Sequence, residues 1–173
     1  MSGSGLGLDD LARPRLPLAK SALVARAASS PDDPDADGEG ACGAFGYLRG
    51  TRDKAMAVEF RFADGNTETL PYSHLAGWRF DPSVGVLLRY AADVVTLVLV
   101  RGSNLDVPAA AGVALLAGGF QRHRVTWVRE MDPGDIRTVG IGGPTVDRIE
   151  VGEFDSQHDL KEWLAKTAPA FLR

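Results

Sequence analysis

The sequence has few of the residues from which disulfides, metal sites and membrane spans are built. It contains one cysteine, Cys42, and three histidines among 173 residues. A single cysteine cannot form an internal disulfide, and no partner ligands stand near it at zinc-site spacing. The longest apolar stretch, Val107–Phe120, is shorter than the roughly 18–20 residues that a membrane span needs. We therefore expect no cofactor, no metal and no membrane partner, and a reducing, cytoplasmic location.

Catalytic motifs are missing as well. Tyr72-Ser73-His74 places a serine beside a histidine, but nucleophilic catalysis also needs an orienting group and an oxyanion site. Gly140-Ile141-Gly142-Gly143 lacks the strand-then-helix context of a dinucleotide fingerprint. The histidines show no metal-ligand spacing. We predict no catalytic, cofactor-binding or metal-binding residue, and a non-enzymatic protein, with an uncharacterised enzyme as a minor alternative.

Charge is distributed unevenly along the chain, whose net charge is −4. Residues 44–130 carry ten basic and eight acidic side chains, whereas both ends are net acidic. The total charge argues against a surface that coats nucleic acid non-specifically, because such a surface needs many phosphate contacts. Local anion binding in the mildly basic centre stays open.

Composition divides the chain into three parts. Residues 1–43 are predicted to be a flexible segment, because the Pro-, Gly- and Asp-rich run Ser30–Gly40 cannot bury enough apolar surface to fold. Within it, Leu11–Ala28 has four basic residues and no acid, which fits an organelle-targeting segment, a partner-docking segment or a plain tail. Residues 44–131 are predicted to form a β-rich, barrel-like domain. Residues 132–173 are predicted to form a loop, a short strand and a C-terminal helix.

The central part is dense in strand signals. Val58, Phe60 and Phe62 alternate with charged residues, and Asp64-Gly65-Asn66 provides a hairpin turn. Short turns separate further strands, and the apolar run Val94–Val100 is typical of a strand buried on both faces. We predict a mainly β fold with appended helices (α+β), built on a small barrel or strongly bent sheet of five to six strands.

One helix is predicted inside this domain. Asp106 is a suitable N-cap and Pro108 suits a first helical turn. Gly118-Gly119 provides a stop signal. These signals predict an Ala-rich helix over Ala109–Leu116, before a last strand at Arg124–Arg129.

A second helix is predicted near the C-terminus. Ser156 followed three residues later by Asp159 resembles a helix start. Leu160, Trp163 and Leu164 then fall on one helical face. This face is predicted to pack on the barrel or to dock a partner.

The segment Val98–Leu105 carries the strongest functional signal. It runs from an apolar strand into Arg101-Gly102-Ser103-Asn104, which resembles the second motif of the Sm-like fold. Upstream, Val58–Gly65 and Phe80-Asp81 resemble the early strand and the Phe-Asp of that fold. Over Val58–Leu105 the resemblance implies a ring-forming barrel that binds single-stranded RNA, with Arg101, Gly102 and Asn104 in the binding motif. From the residues alone, the same segment also fits a plain turn.

A small basic cluster offers a further anion site. Arg122, His123 and Arg124 precede Trp127, and such a pairing can hold a phosphate and stack a base. It also fits a charged strand start with Trp127 in the core. The leading hypothesis is a binding or assembly module that acts through protein–protein contacts, with a protein partner or a second copy. The alternative is an Sm-like single-stranded RNA-binding protein.

Overall fold

The computed structural model of the chain describes residues 38–50, 52–109 and 112–173. Its strands form two sheets, of five and four strands. In chain order they are β1 Glu39–Ala41, β2 Phe45–Leu48, β3 Ala57–Arg61, β4 Thr67–Pro71, β5 Leu75–Asp81, β6 Gly85–Ala91, β7 Val95–Ser103, β8 Val125–Arg129 and β9 Thr145–Phe154. The helices are α1 Pro133–Val139 and α2 Gln157–Thr167. The predicted class, mainly β with appended helices, is confirmed.

The two sheets differ in how sequence order maps onto strand order. Sheet A has the order β1-β2-β8-β3-β4, and its β3 and β8 run parallel, with Phe60 opposite Val128. Sheet B has the order β5-β6-β7-β9 and is antiparallel throughout. The meander of β5, β6 and β7 follows the predicted turns. β9 pairs along the whole of β7, so the residues after 131 complete the same sheet.

The main core lies between the two sheets, because alternate residues of each strand face the same side. Sheet B contributes Val86, Leu88, Tyr90, Val98 and Val100 to it. Sheet A contributes Phe45, Tyr47, Val58, Phe60, Val125 and Val128.

A second apolar cluster covers the opposite face of sheet B. Leu87, Leu97 and Leu99 pack there against Leu164 of α2 and Phe171, which follows α2. β7 is therefore buried on both faces, as its continuous apolar run predicts. α2 is held because it covers leucines that would otherwise face water.

Both α-helices begin at side-chain caps. Ser156 Oγ accepts a hydrogen bond from the Asp159 N–H at 3.1 Å, which confirms the predicted start of α2. Asp132 caps α1 by accepting from the N–H groups of Gly134 and Asp135. The loop predicted at the start of residues 132–173 contains α1, so the structure corrects that prediction. No helix in the described parts of the chain is long and apolar enough to cross a membrane.

The barrel component of the prediction needs correction. Among the described residues the strands form two sheets and do not close into one barrel. The chain leaves sheet A after β4 and enters sheet B through the short 3-10 turn Tyr72–His74. Tyr72 fixes this corner, because its buried hydroxyl donates to the Val125 carbonyl at 3.0 Å. β8, predicted as the last strand of one barrel, lies between β2 and β3 in sheet A.

The predicted Ala-rich helix over Ala109–Leu116 is wrong for the described residues of that range. The Gly112 N–H donates to the Ala109 carbonyl, and the Ala109 N–H donates to the Val113 carbonyl, which closes a tight loop. Gly112 has φ +78°, which a right-handed helix cannot include. A π-helical turn forms only at Leu115–Gly119. The apolar side chains that suggested a helix fill the core instead.

Residues 38–43 are the part of the predicted flexible N-terminal segment that the structure describes. Residues 1–37, including the Leu11–Ala28 segment, lie outside them. β1 begins at Glu39, inside the segment predicted to be flexible, and Gly40 pairs with Tyr47 of β2. Because a Cβ at Gly40 would lie 2.7 Å from the Tyr47 ring, only glycine fits this contact.

Candidate functional site

The Arg101 side chain, expected in an RNA-binding motif, joins three parts of this chain. Its Nε lies 3.0 Å from Glu150 Oε2 on the neighbouring strand β9. Its Nη2 donates to the Thr167 carbonyl at the end of α2 at 2.6 Å. These contacts tie β7 to β9 and to the last turn of α2.

Gly102 and Asn104 serve the same junction. β7 is irregular between Arg101 and Gly102, and a Cβ on Gly102 would lie 1.9 Å from the Thr145 carbonyl oxygen. Asn104 has φ +56° and its amide donates to the carbonyls of Ile141 and Gly143, at 2.9 and 3.1 Å. The packing of this chain therefore gives each residue of the Arg-Gly-x-Asn segment a structural role.

The Arg122–Arg124 cluster lies directly before β8, where that strand of sheet A begins. Arg124 is buried, and its guanidinium donates to the carbonyls of Leu48 and Arg49 at 2.8 and 2.6 Å. His123 has φ +54°, and its ring stacks on Tyr72 with centroids 4.5 Å apart. Only Arg122 of the three is fully exposed. No hydrogen bond or ion pair among the described residues links this cluster to Arg101 or Asn104.

The cluster does belong to a larger basic surface. The other residues of this surface were not predicted from the sequence. The Leu48 N–H donates to the Arg124 carbonyl, and the Ala55 N–H to the His123 carbonyl, so the segment between β2 and β3 is anchored on the cluster at both ends. That segment carries three further cations. We call the accessible cations of this set, Arg49, Arg52, Lys54 and Arg122, the basic surface. Arg124 is not included because it is buried. Three basic residues within six positions, 49–54, were the signal available in the sequence.

The positive charges of Arg49 and Arg124 affect the pKa of a tyrosine in the main core. Burial raises the pKa of the Tyr47 phenol, and the positive charges of Arg49 and then Arg124 oppose that rise. Asp53 is the one carboxylate in the segment between β2 and β3.

The predicted docking face of α2 packs mainly on its own protein. Leu164 is buried in the outer cluster of sheet B, and Leu160 and Trp163 are partly buried against the same cluster. The Trp163 ring lies 5.6 Å from that of Phe154. The face is therefore not a free surface, although Leu160 and Leu164 also form one wall of an open groove.

This groove, of about 350 Å³, lies between α2 and the strands β5 to β7. Its other sides come from four consecutive residues of β5, Ala76–Arg79, and from Leu87, Arg89, Leu97 and Phe171. Its volume is at the lower end of the range of ligand sites. Because β5 is the end strand of sheet B, one side of its backbone has no strand partner in the residues that the structure describes.

The two arginines of the groove differ in what they bind. Arg79 donates from Nη1 to the Phe171 carbonyl at 2.7 Å and from Nη2 to the Arg173 carbonyl at 2.8 Å. It therefore pins the chain end against β5. Arg89 is exposed and forms no salt bridge with any described residue. It leaves a positive charge at the edge of an otherwise apolar groove.

One further cluster contains side chains that can bind metal. Ligand atoms of His158, Asp159 and Glu162 on α2 lie within 4.8 Å of one another, and all three residues are exposed. The Asp159 carboxylate already accepts a hydrogen bond from Ser156 Oγ at 2.7 Å, as part of the α2 cap. No neighbouring feature of the described surface points to a bound ion.

Comparisons with known proteins add no information on this site. No family model matches the chain, and neither a curated protein nor a solved structure does.

Proposed function

We propose that the protein is a non-enzymatic binding module that holds an extended segment of a protein partner in the groove between β5 and α2. One observation carries the proposal. The groove runs along Ala76–Arg79 of β5. The backbone edge of β5 that faces away from β6 has no strand partner among the described residues. An extended peptide can add to such an edge and pair with its backbone.

The groove floor supplies the side-chain part of the recognition. Successive residues of an added strand point to opposite faces, so every second side chain of the peptide meets the outer face of sheet B. Leu87 and Leu97 on that face and Leu160 of α2 favour apolar side chains there. Backbone pairing gives affinity in this mode, and the pockets give sequence preference.

Charge adds a second preference. Arg89 is exposed at the groove and lacks a carboxylate partner in the described structure. The expected partner segment is therefore extended, with alternating apolar side chains and an aspartate or glutamate that reaches Arg89. This charge pair sets orientation and register more than affinity.

Selection from a random-peptide display library on the full chain tests the proposal. The expected outcome is a consensus of alternating apolar residues with one acidic position. A synthetic consensus peptide should bind wild type and lose affinity for Arg89→Glu. The control is Arg137→Glu, an exposed arginine on α1 away from the groove lining.

Two outcomes contradict the proposal. The first is a selection in which the bound peptides share no consensus, or share a consensus that has no acidic position. The second is an equal effect of Arg89→Glu and Arg137→Glu, because then only the net charge matters.

A second candidate function is single-stranded RNA binding on the basic surface. It is favoured by the exposed cations Arg52, Lys54 and Arg122, because the segment that carries Arg52 and Lys54 is hydrogen-bonded through Ala55 to the His123 carbonyl. Arg101, Gly102 and Asn104, in contrast, are occupied within the protein. Such binding weakens steeply with salt. Oligouridine binding measured by fluorescence anisotropy at two salt concentrations tests it. Arg122→Glu should weaken binding and Arg137→Glu should not, and a lack of binding at low salt rejects this candidate.

A further inference from the structure

Met56 carries an apolar side chain that the fold turns into solvent. The buried residues of β3 are Val58 and Phe60, and Met56 lies two residues before Val58, at the position that would continue this alternation. However, β3 begins only at Ala57, and the Met56 side chain is 86% exposed. An apolar group is therefore available here for contact with a partner.

Hydrogen bonds hold the backbone on both sides of Met56. The Ala55 N–H donates to the His123 carbonyl at 2.7 Å, and the Tyr72 N–H donates to the Met56 carbonyl at 2.9 Å. Tyr72 is buried, and its ring stacks on that of His123 with centroids 4.5 Å apart. The side chain is therefore presented from a fixed backbone, so a partner need not order this part of the chain on binding.

Cations of the basic surface flank the same hydrogen bonds. Lys54 precedes Ala55 in the chain, Arg122 precedes His123, and Arg52 lies two residues before Lys54. All three cations are exposed, and none forms a salt bridge within the part of the chain that the structure describes. The charge around Met56 therefore matches an anionic partner.

Two aromatic rings near this surface are already packed within the protein. The Arg61 guanidinium lies 4.6 Å from the centroid of the Trp127 ring, which packs so closely on Gly46 that a Cβ there would clash with the ring nitrogen. Tyr72 is buried. Binding of single-stranded nucleic acid relies on free aromatic faces. An exposed methionine among cations suits an anionic lipid surface better, because that surface offers an apolar layer beneath charged headgroups.

We propose that Met56 and the basic surface form a peripheral contact site for an anionic lipid surface. The Met56 side chain enters the boundary between headgroups and acyl chains, and Arg52, Lys54 and Arg122 face the headgroups. The expectation of no membrane partner rested on the length of apolar runs, which does not bear on a contact of this kind. The inference is an alternative to RNA binding on the same surface and does not depend on the groove.

Flotation of the full chain with lipid vesicles tests the contact. The protein should bind vesicles of phosphatidylcholine mixed with phosphatidylserine, bind pure phosphatidylcholine much less, and dissociate as the salt concentration rises. Lys54→Ala should lower binding to the mixed vesicles about fivefold, the factor that one cation contributes near an anionic surface. Arg137→Ala, which removes an exposed arginine of α1, is the charge control and should leave binding unchanged.

A matched pair of apolar residues separates this site from general adhesion to lipid. Ile141 is 98% exposed and lies in the loop between α1 and β9. Met56→Gln should weaken binding to the mixed vesicles several-fold, and Ile141→Gln should not. An equal loss in the two variants overturns the inference, as does a lack of binding to mixed vesicles at low salt. Binding of oligouridine without binding of vesicles would assign the surface to RNA and would overturn it too.

A fluorescent label gives an independent readout of insertion. Cys42 is first replaced by serine, whose hydroxyl can donate to the Phe45 carbonyl as the thiol does. A polarity-sensitive dye is then attached in Met56→Cys or, as the control, in Ile141→Cys. Mixed vesicles should shift the emission of the dye at position 56 to shorter wavelengths and leave that at position 141 unchanged. An unshifted dye at position 56 overturns the inference even if the protein floats with the vesicles.

Discussion

The carboxylate of Glu130 accepts a hydrogen bond from the backbone N–H of Ile149, with Oε1 2.6 Å from the nitrogen. Its other oxygen, Oε2, accepts from the N–H of Ala63 at 2.7 Å. Ile149 belongs to β9 of sheet B, whereas Glu130 directly follows β8 and Ala63 lies in the β3–β4 hairpin of sheet A. One side chain therefore satisfies donors from both sheets at the edge where β9 would otherwise be open.

Glu130→Ala is expected to lower the free energy of unfolding by about 2–3 kcal/mol, because two donors lose a charged acceptor. Glu130→Gln retains one acceptor oxygen and should cost less. Urea denaturation of the purified variants measures both. Glu162→Ala on the exposed side of α2 is the control and should stay within about 0.5 kcal/mol of wild type. A Glu130→Ala variant as stable as Glu162→Ala would show that the bridge contributes nothing.

Gly102→Ala tests whether the glycine of the Arg-Gly pair is required by packing. A Cβ there would lie 1.9 Å from the Thr145 carbonyl oxygen, which is backbone and cannot move aside. We expect a loss of about 1–3 kcal/mol in unfolding free energy, as for other overpacked sites. Gly142→Ala is the matched control, because a Cβ at Gly142 meets nothing within 4 Å. Equal thermal midpoints for the two variants would contradict this account.

Arg101→Ala should loosen the attachment of α2 to sheet B. The change removes the contacts with Glu150 and with the Thr167 carbonyl, and about 1–2 kcal/mol is expected because the side chain is partly exposed. Hydrogen exchange should quicken at the Ala168 amide, which donates to Leu164 at the end of α2. Arg148→Ala is the control, since that side chain is 68% exposed and 3.4 Å from Glu150. Unchanged exchange in Arg101→Ala would reject the structural role of Arg101.

Local sequence signals predicted the parts of the fold that depend on neighbours in the chain. The β3–β4 hairpin, the β5–β7 meander and the cap at Ser156 follow from alternation, turn residues and a helix-start pattern. The Ala-rich segment shows the limit of such signals. Its cap residues favoured a helix, but burial of Val113 and Leu115 in the core and the left-handed backbone of Gly112 decided the outcome.

The position of β8 and the candidate sites could not be predicted in this way. β8 lies between β2 and β3, a pairing across long sequence separations that no local pattern encodes. The groove joins β5 to α2, about 80 residues later in the chain, so the apolar face of α2 was foreseen and the strand side was not. Likewise, the sequence shows a basic run at Arg49, Arg52 and Lys54. That this run is hydrogen-bonded to the segment that contains Arg122 follows only from the tertiary structure.

Two buried tyrosines in the main core provide a matched pair for a further prediction. The Tyr72 hydroxyl donates to the Val125 carbonyl, whereas the buried Tyr90 hydroxyl has no hydrogen-bond partner among the described residues. Tyr72→Phe should therefore cost about 1 kcal/mol of unfolding free energy, and Tyr90→Phe should be neutral or stabilising because it removes an unpaired polar group. Urea denaturation at pH 7 distinguishes the two. A larger loss in Tyr90→Phe than in Tyr72→Phe would show that the Tyr90 hydroxyl has a partner outside the described residues.

The same two phenols should make the free energy of unfolding depend on pH in the alkaline range. Burial raises the pKa of both Tyr72 and Tyr90 above the ordinary value of 10.0, so each ionises more readily in the unfolded chain than in the folded one. Their contribution to stability is therefore complete below pH 10 and is lost as the pH rises above it. In urea titrations from pH 8 to pH 11, wild type should lose more stability than Tyr90→Phe, which has one buried phenol fewer. If the two proteins lose stability in parallel, ionisation of Tyr90 does not contribute to alkaline unfolding.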